Sequence, residues 1–155
     1  MAAKLTLGFL GAGKMATALA RGFVRAKLVS PRDLLASDPS ESAAKAFGAE
    51  TGARTTRSNL EVAAFARVLV LAVKPDQAAS VLTEIRPRFN RQQLLISIAA
   101  GVPTPKLEAA LGDGARVIRV MPNTPALVGA SATGYALGKH AHPNDGQVAA
   151  RLFSA

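Results

Sequence analysis

A short glycine-rich segment directly follows the first apolar run of the chain, and it constrains the fold more than any other feature. Residues 5–10 form an uncharged, largely apolar run, and residues 11–16 then read G-A-G-K-M-A, which matches the pattern G-x-G-x-x-A. Met15, Leu19 and Phe23 follow at helical spacing, which predicts an amphipathic helix over residues 14–25. A strand, a tight glycine turn and a helix in this order begin a βαβ unit.

Strand and helix patterns alternate along the rest of the chain. Residues 67–73 are almost uniformly apolar, as expected for a strand that helices cover on both faces. The predicted strands are residues 5–10, 34–37, 54–56, 67–73, 94–100, 116–120 and 132–137, and the predicted helices are residues 14–25, 41–47, 58–66, 75–85, 104–111 and 147–153. We therefore predict one α/β domain over residues 1–155, of the doubly wound Rossmann type, with a mostly parallel sheet and helices on both faces.

Three local signals set the predicted helix starts. Ser58 and Glu61 have the spacing of a capping box, in which each side chain bonds the other residue's backbone N–H. Pro75 is expected at the first position of its helix, and Thr104 is expected to cap the helix that Pro105 begins.

Composition excludes several functional classes. The chain has no cysteine, which excludes disulfides, thiolate metal sites and a cysteine nucleophile, and leaves the cytoplasm as the default location. Lys and Arg number 19 against 10 Asp and Glu, but these charges are dispersed, which favours a solvated surface over nucleic-acid binding. No run approaches the roughly 20 apolar residues of a membrane span, and Lys14, Arg21 and Arg25 interrupt the stretch that would resemble a signal peptide.

The glycine pattern has a specific use in phosphate binding. Gly11 permits a tight turn, Gly13 lets a pyrophosphate approach bare backbone, and Ala16 lets the helix pack closely on the strand. The amides at the helix N-terminus then face the phosphates, which predicts a dinucleotide ligand. A plain structural turn is the alternative for a lone glycine loop.

The second predicted strand ends at Ser37 and Asp38, about 20 residues beyond the loop, where a group that contacts the adenine ribose is expected. Asp38 can accept a hydrogen bond from the 2′-hydroxyl of NAD and would repel the 2′-phosphate of NADP, whereas Ser37, Arg54 and Arg57 can offset that repulsion. NAD and NADP therefore both stay open, and so does a role for Asp38 as a helix cap beside Pro39.

Four motifs together resemble the pyrroline-5-carboxylate reductase family. They are residues 8–15 (G-F-L-G-A-G-K-M), 72–75 (A-V-K-P), 97–102 (S-I-A-A-G-V) and 119–125 (R-V-M-P-N-T-P). The first is common among dehydrogenases, but the other three in this order are highly specific. The resemblance extends over essentially the whole chain.

The resemblance implies NAD(P)H-dependent reduction of the C=N bond of 1-pyrroline-5-carboxylate to L-proline, with this chain as the cofactor-binding domain. Lys74 would contact the phosphates or ribose hydroxyls, while Pro75 begins a helix in any case. The implied cofactor-binding residues are Leu10, Gly11, Ala12, Gly13, Lys14, Met15, Ser37, Asp38, Asn59, Ala72, Val73, Lys74, Pro75, Ile98, Ala99 and Ala100. Asn123 and Thr124 would border the cleft shared by nicotinamide and substrate, and no catalytic residue or metal ligand is expected in this chain.

The family pattern also includes a C-terminal helical domain, through which the full enzyme forms homo-oligomers and which carries a serine- and glycine-rich substrate loop. That loop is not found here, so we expect a piece of a longer reductase that is inactive alone and exposes an apolar flank near Leu152 and Phe153. The domain of another small-substrate dehydrogenase and a non-catalytic NAD(P)-sensing module are the alternatives. His140 and His142 are expected to be exposed to solvent and not functional.

Overall fold

The computed structural model describes residues 4–121 and 134–153 of the 155-residue chain. The elements are β1 (Leu7–Leu10), α1 (Lys14–Arg25), β2 (Leu34–Ser37), α2 (Glu41–Thr51), β3 (Arg54–Thr56), α3 (Asn59–Phe65), β4 (Val68–Leu71), α4 (Pro75–Ile85), β5 (Leu94–Ser97), α5 (Thr104–Leu111), β6 (Arg116–Met121), β7 (Gly134–Leu137) and α6 (Pro143–Phe153). A short 3-10 turn at Pro31–Asp33 precedes β2, and another at Arg86–Arg88 follows α4.

The strands form one sheet in the order β3-β2-β1-β4-β5-β6-β7. Strands β1 to β6 are parallel, and β7 is antiparallel to β6. The chain runs from β1 outward to β3 and then returns to place β4 on the other side of β1, so the strand order reverses between β1 and β4. This arrangement confirms the predicted doubly wound fold, and ligands of such sheets bind at the carboxyl ends of the strands beside the reversal.

Helices cover both faces of the sheet, and each face has its own apolar core. On the face of α1, α2 and α6, the ring of Phe9 lies 6.2 Å from that of Phe23 and 5.7 Å from that of Phe47. On the opposite face, side chains of α3, α4 and α5 pack on the sheet around Leu69 and Leu95. Burial on both faces explains why the central strands are continuously apolar.

The C-terminal helix corrects the predicted apolar flank. Leu152 and Phe153 are 2% and 3% exposed, and the Phe153 ring packs edge-on against Phe23 at 5.7 Å. This helix begins at Pro143, four residues before the predicted start, and its full length lets it reach the core beside α1. The expectation of an exposed flank was therefore wrong.

Several predicted boundaries shift by a few residues. The second helix passes through Gly48 and ends at Thr51, and the left-handed φ of 78° at the following Gly52 provides the usual helix stop. Strands β4 and β5 end at Leu71 and Ser97, so the residues that follow each strand are free to turn at the sheet edge. The predicted edge strand is present as Gly134–Leu137, and residues 132 and 133 lie outside the described part.

The predicted caps are partly confirmed. The Ser58 hydroxyl accepts the Glu61 backbone N–H at 3.1 Å, but the Glu61 carboxylate accepts the Thr56 hydroxyl instead of returning to the Ser58 N–H. That N–H donates to the Thr56 hydroxyl, so Thr56 completes the box. The predicted Thr104 cap is wrong, because Thr104 is itself the first helical residue and Pro103 precedes it. None of the described helices is long and apolar enough to cross a membrane.

Candidate nucleotide-binding site

The glycine loop joins β1 to α1 at the strand reversal, and Gly11 is confined there by its neighbours. Its φ is +100°, a conformation that non-glycine residues rarely adopt, and a Cβ atom at this position would lie 2.8 Å from the carbonyl oxygen of Ala72. The Gly11 N–H donates to the Ser37 carbonyl at 2.8 Å. The loop is therefore held against the ends of both β2 and β4.

Gly13 has the opposite environment, because a Cβ atom there would meet nothing within 4 Å. It is the N-cap of α1, which has no side-chain cap and no acidic residue in its first turn. The first amides of a helix have no partner within the helix and carry partial positive charge. Open space therefore adjoins the backbone at the point where α1 begins.

A cavity of about 500 Å³ extends from this loop between α1 and α2. Thr17, Arg21 and Ser42 bring polar groups to it, and none of the three was predicted from sequence. Thr17 is buried, and its hydroxyl donates to the Ala12 carbonyl at 3.4 Å, which braces the loop. Thr17 and Arg21 follow the loop at spacings of one helical turn, which is the one signal that could have identified them.

Asp38 lies at the end of β2 and bonds directly to the glycine loop. One carboxylate oxygen accepts the Ala12 N–H at 2.9 Å, and the other accepts the Ser40 N–H at 2.8 Å. The N-cap of α2 is Ser40, whose hydroxyl accepts the Ala43 N–H, so the helix-cap alternative for Asp38 does not hold. A carboxylate is thereby fixed beside the loop.

Ser37 and Asn59, both predicted from sequence, meet behind this carboxylate. The buried Ser37 hydroxyl donates to the Asn59 side-chain oxygen at 2.6 Å, and the Asn59 amide nitrogen donates to Glu84 at 2.9 Å. Glu84 is near the end of α4, far from any motif, and sequence reasoning had no signal for it. The chain of contacts fixes the orientation of the Asn59 amide.

The ends of β4 and β5 reach the same edge of the sheet. The Ala72 N–H donates to Leu10 at 2.8 Å, and the Ile98 N–H donates to Leu71 at 3.0 Å, which places residues 72–75 and 98–100 in succession beside the loop. Ala99 is 3% exposed and directs its methyl group into the core, so this residue can offer only backbone atoms to a ligand.

Lys74 and Pro75 adopt the local structure that was predicted. Lys74 is the exposed N-cap of α4, and Pro75 is the first residue of that helix. The Lys74 ammonium therefore extends from the edge of the sheet that carries the loop. Neither residue lines the cavity between α1 and α2.

The remaining predicted residues are separate from this edge or lie outside the described part. Asn123 and Thr124 are outside the described residues. His142 is exposed, and His140 is half-buried with its ring nitrogen 3.8 Å from a carboxylate oxygen of Asp113. Among residues 4–121 and 134–153, no group of three His, Cys, Asp or Glu side chains is arranged to hold a metal ion.

One known family matches the part of the chain that contains the glycine loop and the first five strands. The family model described as "NADP oxidoreductase coenzyme F420-dependent" matches residues 6–101. The chain belongs to this NADP oxidoreductase family. The matched region of this chain includes the glycine loop, Asp38 and the ends of β4 and β5.

The resemblance predicted from the four motifs is also confirmed. Pyrroline-5-carboxylate reductase of Methanosarcina acetivorans is 44% identical over 149 residues, which are 96% of this NADP oxidoreductase chain and 55% of that protein. A solved structure of Plasmodium falciparum pyrroline carboxylate reductase with NADP bound is 36% identical with a TM-score of 0.85, covering 97% of this chain and 54% of that one.

A second solved structure gives the higher of the two TM-scores. The pyrroline-5-carboxylate reductase of Coxiella burnetii gives a TM-score of 0.91 at 32% identity, covering 98% of this chain and 56% of that chain. This family member therefore spans about half the length of the relatives that it matches.

Proposed function

We propose that this chain binds reduced NAD(P) at the glycine loop and serves as the cofactor-binding part of a pyrroline-5-carboxylate reductase. The observation that carries the proposal is the pair of glycines. Gly11 fits against Ala72 only because it lacks a side chain, and Gly13 presents bare backbone to open space at a helix N-terminus. The four motifs and the 44% identity to the Methanosarcina reductase support the substrate.

The residues present suit a dinucleotide. A pyrophosphate would lie against the amides of residues 13–15, because the Gly11 and Ala12 amides already donate to Ser37 and Asp38. A branched side chain at Gly13 would occupy the space that the pyrophosphate needs. The adenosine ribose would lie beside Asp38 and Asn59, whose side chains are held in place by Ala12, Ser40 and Ser37. Lys74 would neutralise phosphate charge from the neighbouring strand end.

The nicotinamide would then lie beyond the ends of β4 and β5, beside residues 72–75 and 98–100. When bound, the reduced nicotinamide supplies the hydride for the C=N carbon of 1-pyrroline-5-carboxylate, and the protein supplies orientation and electrostatics. The chain's own contribution is a rigid edge: Ala72 and Ile98 are held by backbone hydrogen bonds to Leu10 and Leu71. Asn123 and Thr124 are proposed to border the substrate side of this edge.

The proposed substrate and assembly refer to the whole enzyme, because the matched relatives are nearly twice as long as the aligned part. We propose that residues equivalent to the rest of those relatives enclose the substrate and form a homo-oligomer. Positioning of the reactants can contribute roughly 7–11 kcal/mol to lowering a catalysed barrier, so the 155-residue chain should bind cofactor without appreciable turnover. The lack of cysteine favours a cytoplasmic location.

A chimera tests the proposal. The chain is assayed for NADPH oxidation with 1-pyrroline-5-carboxylate, alone and fused to the part of the Methanosarcina reductase that lies beyond the aligned region. We expect proline formation by the fusion and none by the chain. Turnover by the chain alone would show that the substrate site lies within these 155 residues and would contradict the proposal.

A folded fusion that binds NADPH and reduces another small imine or carbonyl compound would favour a different dehydrogenase. Cofactor binding without any reductase activity in the fusion would favour a sensing module. The fusion bearing Gly13→Val is the matched control. It keeps every residue on the substrate side and should lose both cofactor binding and activity.

A further inference from the structure

A second cavity lies at the edge of the sheet opposite the glycine loop, where four neighbouring strands begin. Its volume is about 640 Å³. The strand register places Leu7, Val68, Leu94 and Arg116 in one row across β1, β4, β5 and β6. Because these strands are parallel, their amino ends lie at one edge, and the residues just before them converge on the same space.

Four cationic side chains line this cavity, and each comes from a different segment. Lys4 precedes β1, Arg67 precedes β4, Arg116 begins β6 and Arg151 belongs to α6. Dispersed in the sequence, these charges suggested a solvated surface, and only the sheet topology brings them together. Asp145 is the one acidic residue among the described lining residues.

The charge of Asp145 is already neutralised. Its buried carboxylate accepts hydrogen bonds from the Arg116 guanidinium, one of them at 2.9 Å, and from the His142 N–H at 2.8 Å. Lys4 lies 3.4 Å from a carboxylate oxygen of Asp33, but its side chain is 67% exposed, where such pairs are weak. The same pair uses the charge of Arg116, whose remaining guanidinium nitrogen donates to the Arg91 carbonyl at 3.2 Å. The positive charge of the cavity therefore rests on Lys4 and Arg67.

Arg67 is the most favourably placed of these cations. Its backbone N–H donates to the Thr6 hydroxyl at 3.0 Å and to the Thr6 carbonyl at 3.1 Å, which fixes the point from which the exposed side chain extends. Its guanidinium forms no ion pair with any residue that the structure describes. A group with five N–H donors is thus available at the mouth of the cavity.

The size and lining of the cavity indicate the ligand chemistry. A volume of 640 Å³ is within the range of small-molecule sites, roughly 300–1,000 Å³. Gln92 and Asn144 add amide donors, and Leu28, Val148 and Leu152 form an apolar wall. A single carboxylate would engage one or two of the cations, whereas a chain of phosphates can engage several at once.

We propose that this amino-edge cavity binds a small polyphosphate anion, namely a di- or triphosphate group that is either free or attached to a nucleoside. The site is separate from the glycine loop, which lies at the carboxyl ends of the same strands. It does not depend on the reductase assignment.

Calorimetric titration of the 155-residue chain with inorganic triphosphate, at an ionic strength of about 0.15 M to screen nonspecific attraction, tests the proposal. Uridine triphosphate in a second titration distinguishes the two sources. Equal affinities indicate that the phosphate chain alone is recognised, and tighter binding of the nucleotide indicates that the apolar wall holds the nucleoside. Either result with the expected variant behaviour supports the site.

We expect Arg67→Gln to weaken triphosphate binding about tenfold and Lys4→Gln/Arg67→Gln to weaken it further, since each removes a cation from the cavity. Arg25→Gln, at the exposed end of α1, is the matched control and should leave the affinity unchanged. All three replaced side chains are exposed, so the variants should fold.

Two kinds of result would overturn the proposal. One is a failure of the cavity itself, in which the wild-type chain does not bind triphosphate or Arg67→Gln leaves the affinity unchanged. The other is binding that Gly13→Val abolishes while Arg67→Gln retains it, which would place the anion at the glycine loop. In that second case the reductase proposal would survive and this one would fail.

Discussion

The carboxylate of Asp38 accepts a hydrogen bond from the backbone N–H of Ala12 at 2.9 Å, joining the end of β2 to the middle of the glycine loop. The second carboxylate oxygen is held by the Ser40 N–H, so the side chain is fixed at both oxygens. A negative charge therefore stands at a defined place beside the proposed ribose site. Asp38 therefore braces the loop, and we propose that its charge also influences which nucleotide the loop accepts.

We expect Asp38→Ser to raise the affinity for NADPH relative to NADH by about fivefold or more, because it removes repulsion worth of order 1 kcal/mol against a 2′-phosphate. Parallel calorimetric titrations with the two cofactors measure the ratio. Asp33→Ser, at the amino end of β2, is the matched control and should leave the ratio unchanged. An unchanged ratio in Asp38→Ser would limit Asp38 to its structural role.

Gly13→Val should abolish cofactor binding without unfolding the chain. A Cβ atom at this position meets nothing within 4 Å, so the branched side chain fits the protein but fills the approach to the loop amides. Gly22→Val in α1 is matched in chemistry, since its Cβ would also meet open space. Circular dichroism checks the fold of each variant, and cofactor fluorescence measures binding. If Gly13→Val retains wild-type affinity, the pyrophosphate does not bind at this loop.

Gly8→Ala should destabilise the fold by about 1–3 kcal/mol through overpacking. A Cβ atom on Gly8 would lie 2.6 Å from Cγ1 of Val62 and 2.8 Å from Cβ of Ala66, because α3 packs directly on β1. Urea unfolding measures the loss, and Gly8→Ala/Val62→Ala should lose less than the sum of its single variants. Simple additivity would argue against this contact as the cause.

The sequence was sufficient for the fold and for the backbone conformation of the glycine loop. Gly11, Gly13 and the ends of β4 and β5 could be predicted because small residues and apolar runs determine chain path directly. Gly8 was missed as a packing position, since a glycine within a strand does not reveal which helix lies against it. The approach of α3 is a tertiary property.

Contacts between side chains of distant segments could not be predicted from the sequence for the same reason. The Asn59 bond to Glu84 and the Asp145 bond to Arg116 join residues 25 and 29 positions apart. The burial of Phe153 was also missed, because the pattern located α6 four residues late and did not show that it packs on Phe23.

The Arg116 and Asp145 pair should make stability depend on pH. Burial alone would raise the pKa of Asp145, but the hydrogen bonds from Arg116 and the His142 N–H, with the charge of Arg116, outweigh burial and lower it. A carboxyl whose pKa is lower in the folded than in the unfolded chain stabilises the fold above about pH 4, and that contribution is lost as pH falls through the folded value.

Asp145→Asn should therefore cost about 3 kcal/mol at pH 7, with a smaller difference from wild type in acid. Urea unfolding across pH 2–7 measures both quantities. Asp113→Asn is the control, because its side chain is 98% exposed and should have little effect. A constant difference at every pH would show that the loss arises from packing and not from the ionised pair.

A two-dimensional amide NMR titration of the isotopically labelled chain with NADPH tests directly whether the cofactor binds at the glycine loop. We expect the largest chemical-shift changes at the amides of residues 11–16, at Asp38, and at residues 72–74 and 98–100. The absence of saturable changes at the glycine loop, or changes confined to the amino ends of the strands, would contradict the assignment of this loop as the cofactor site.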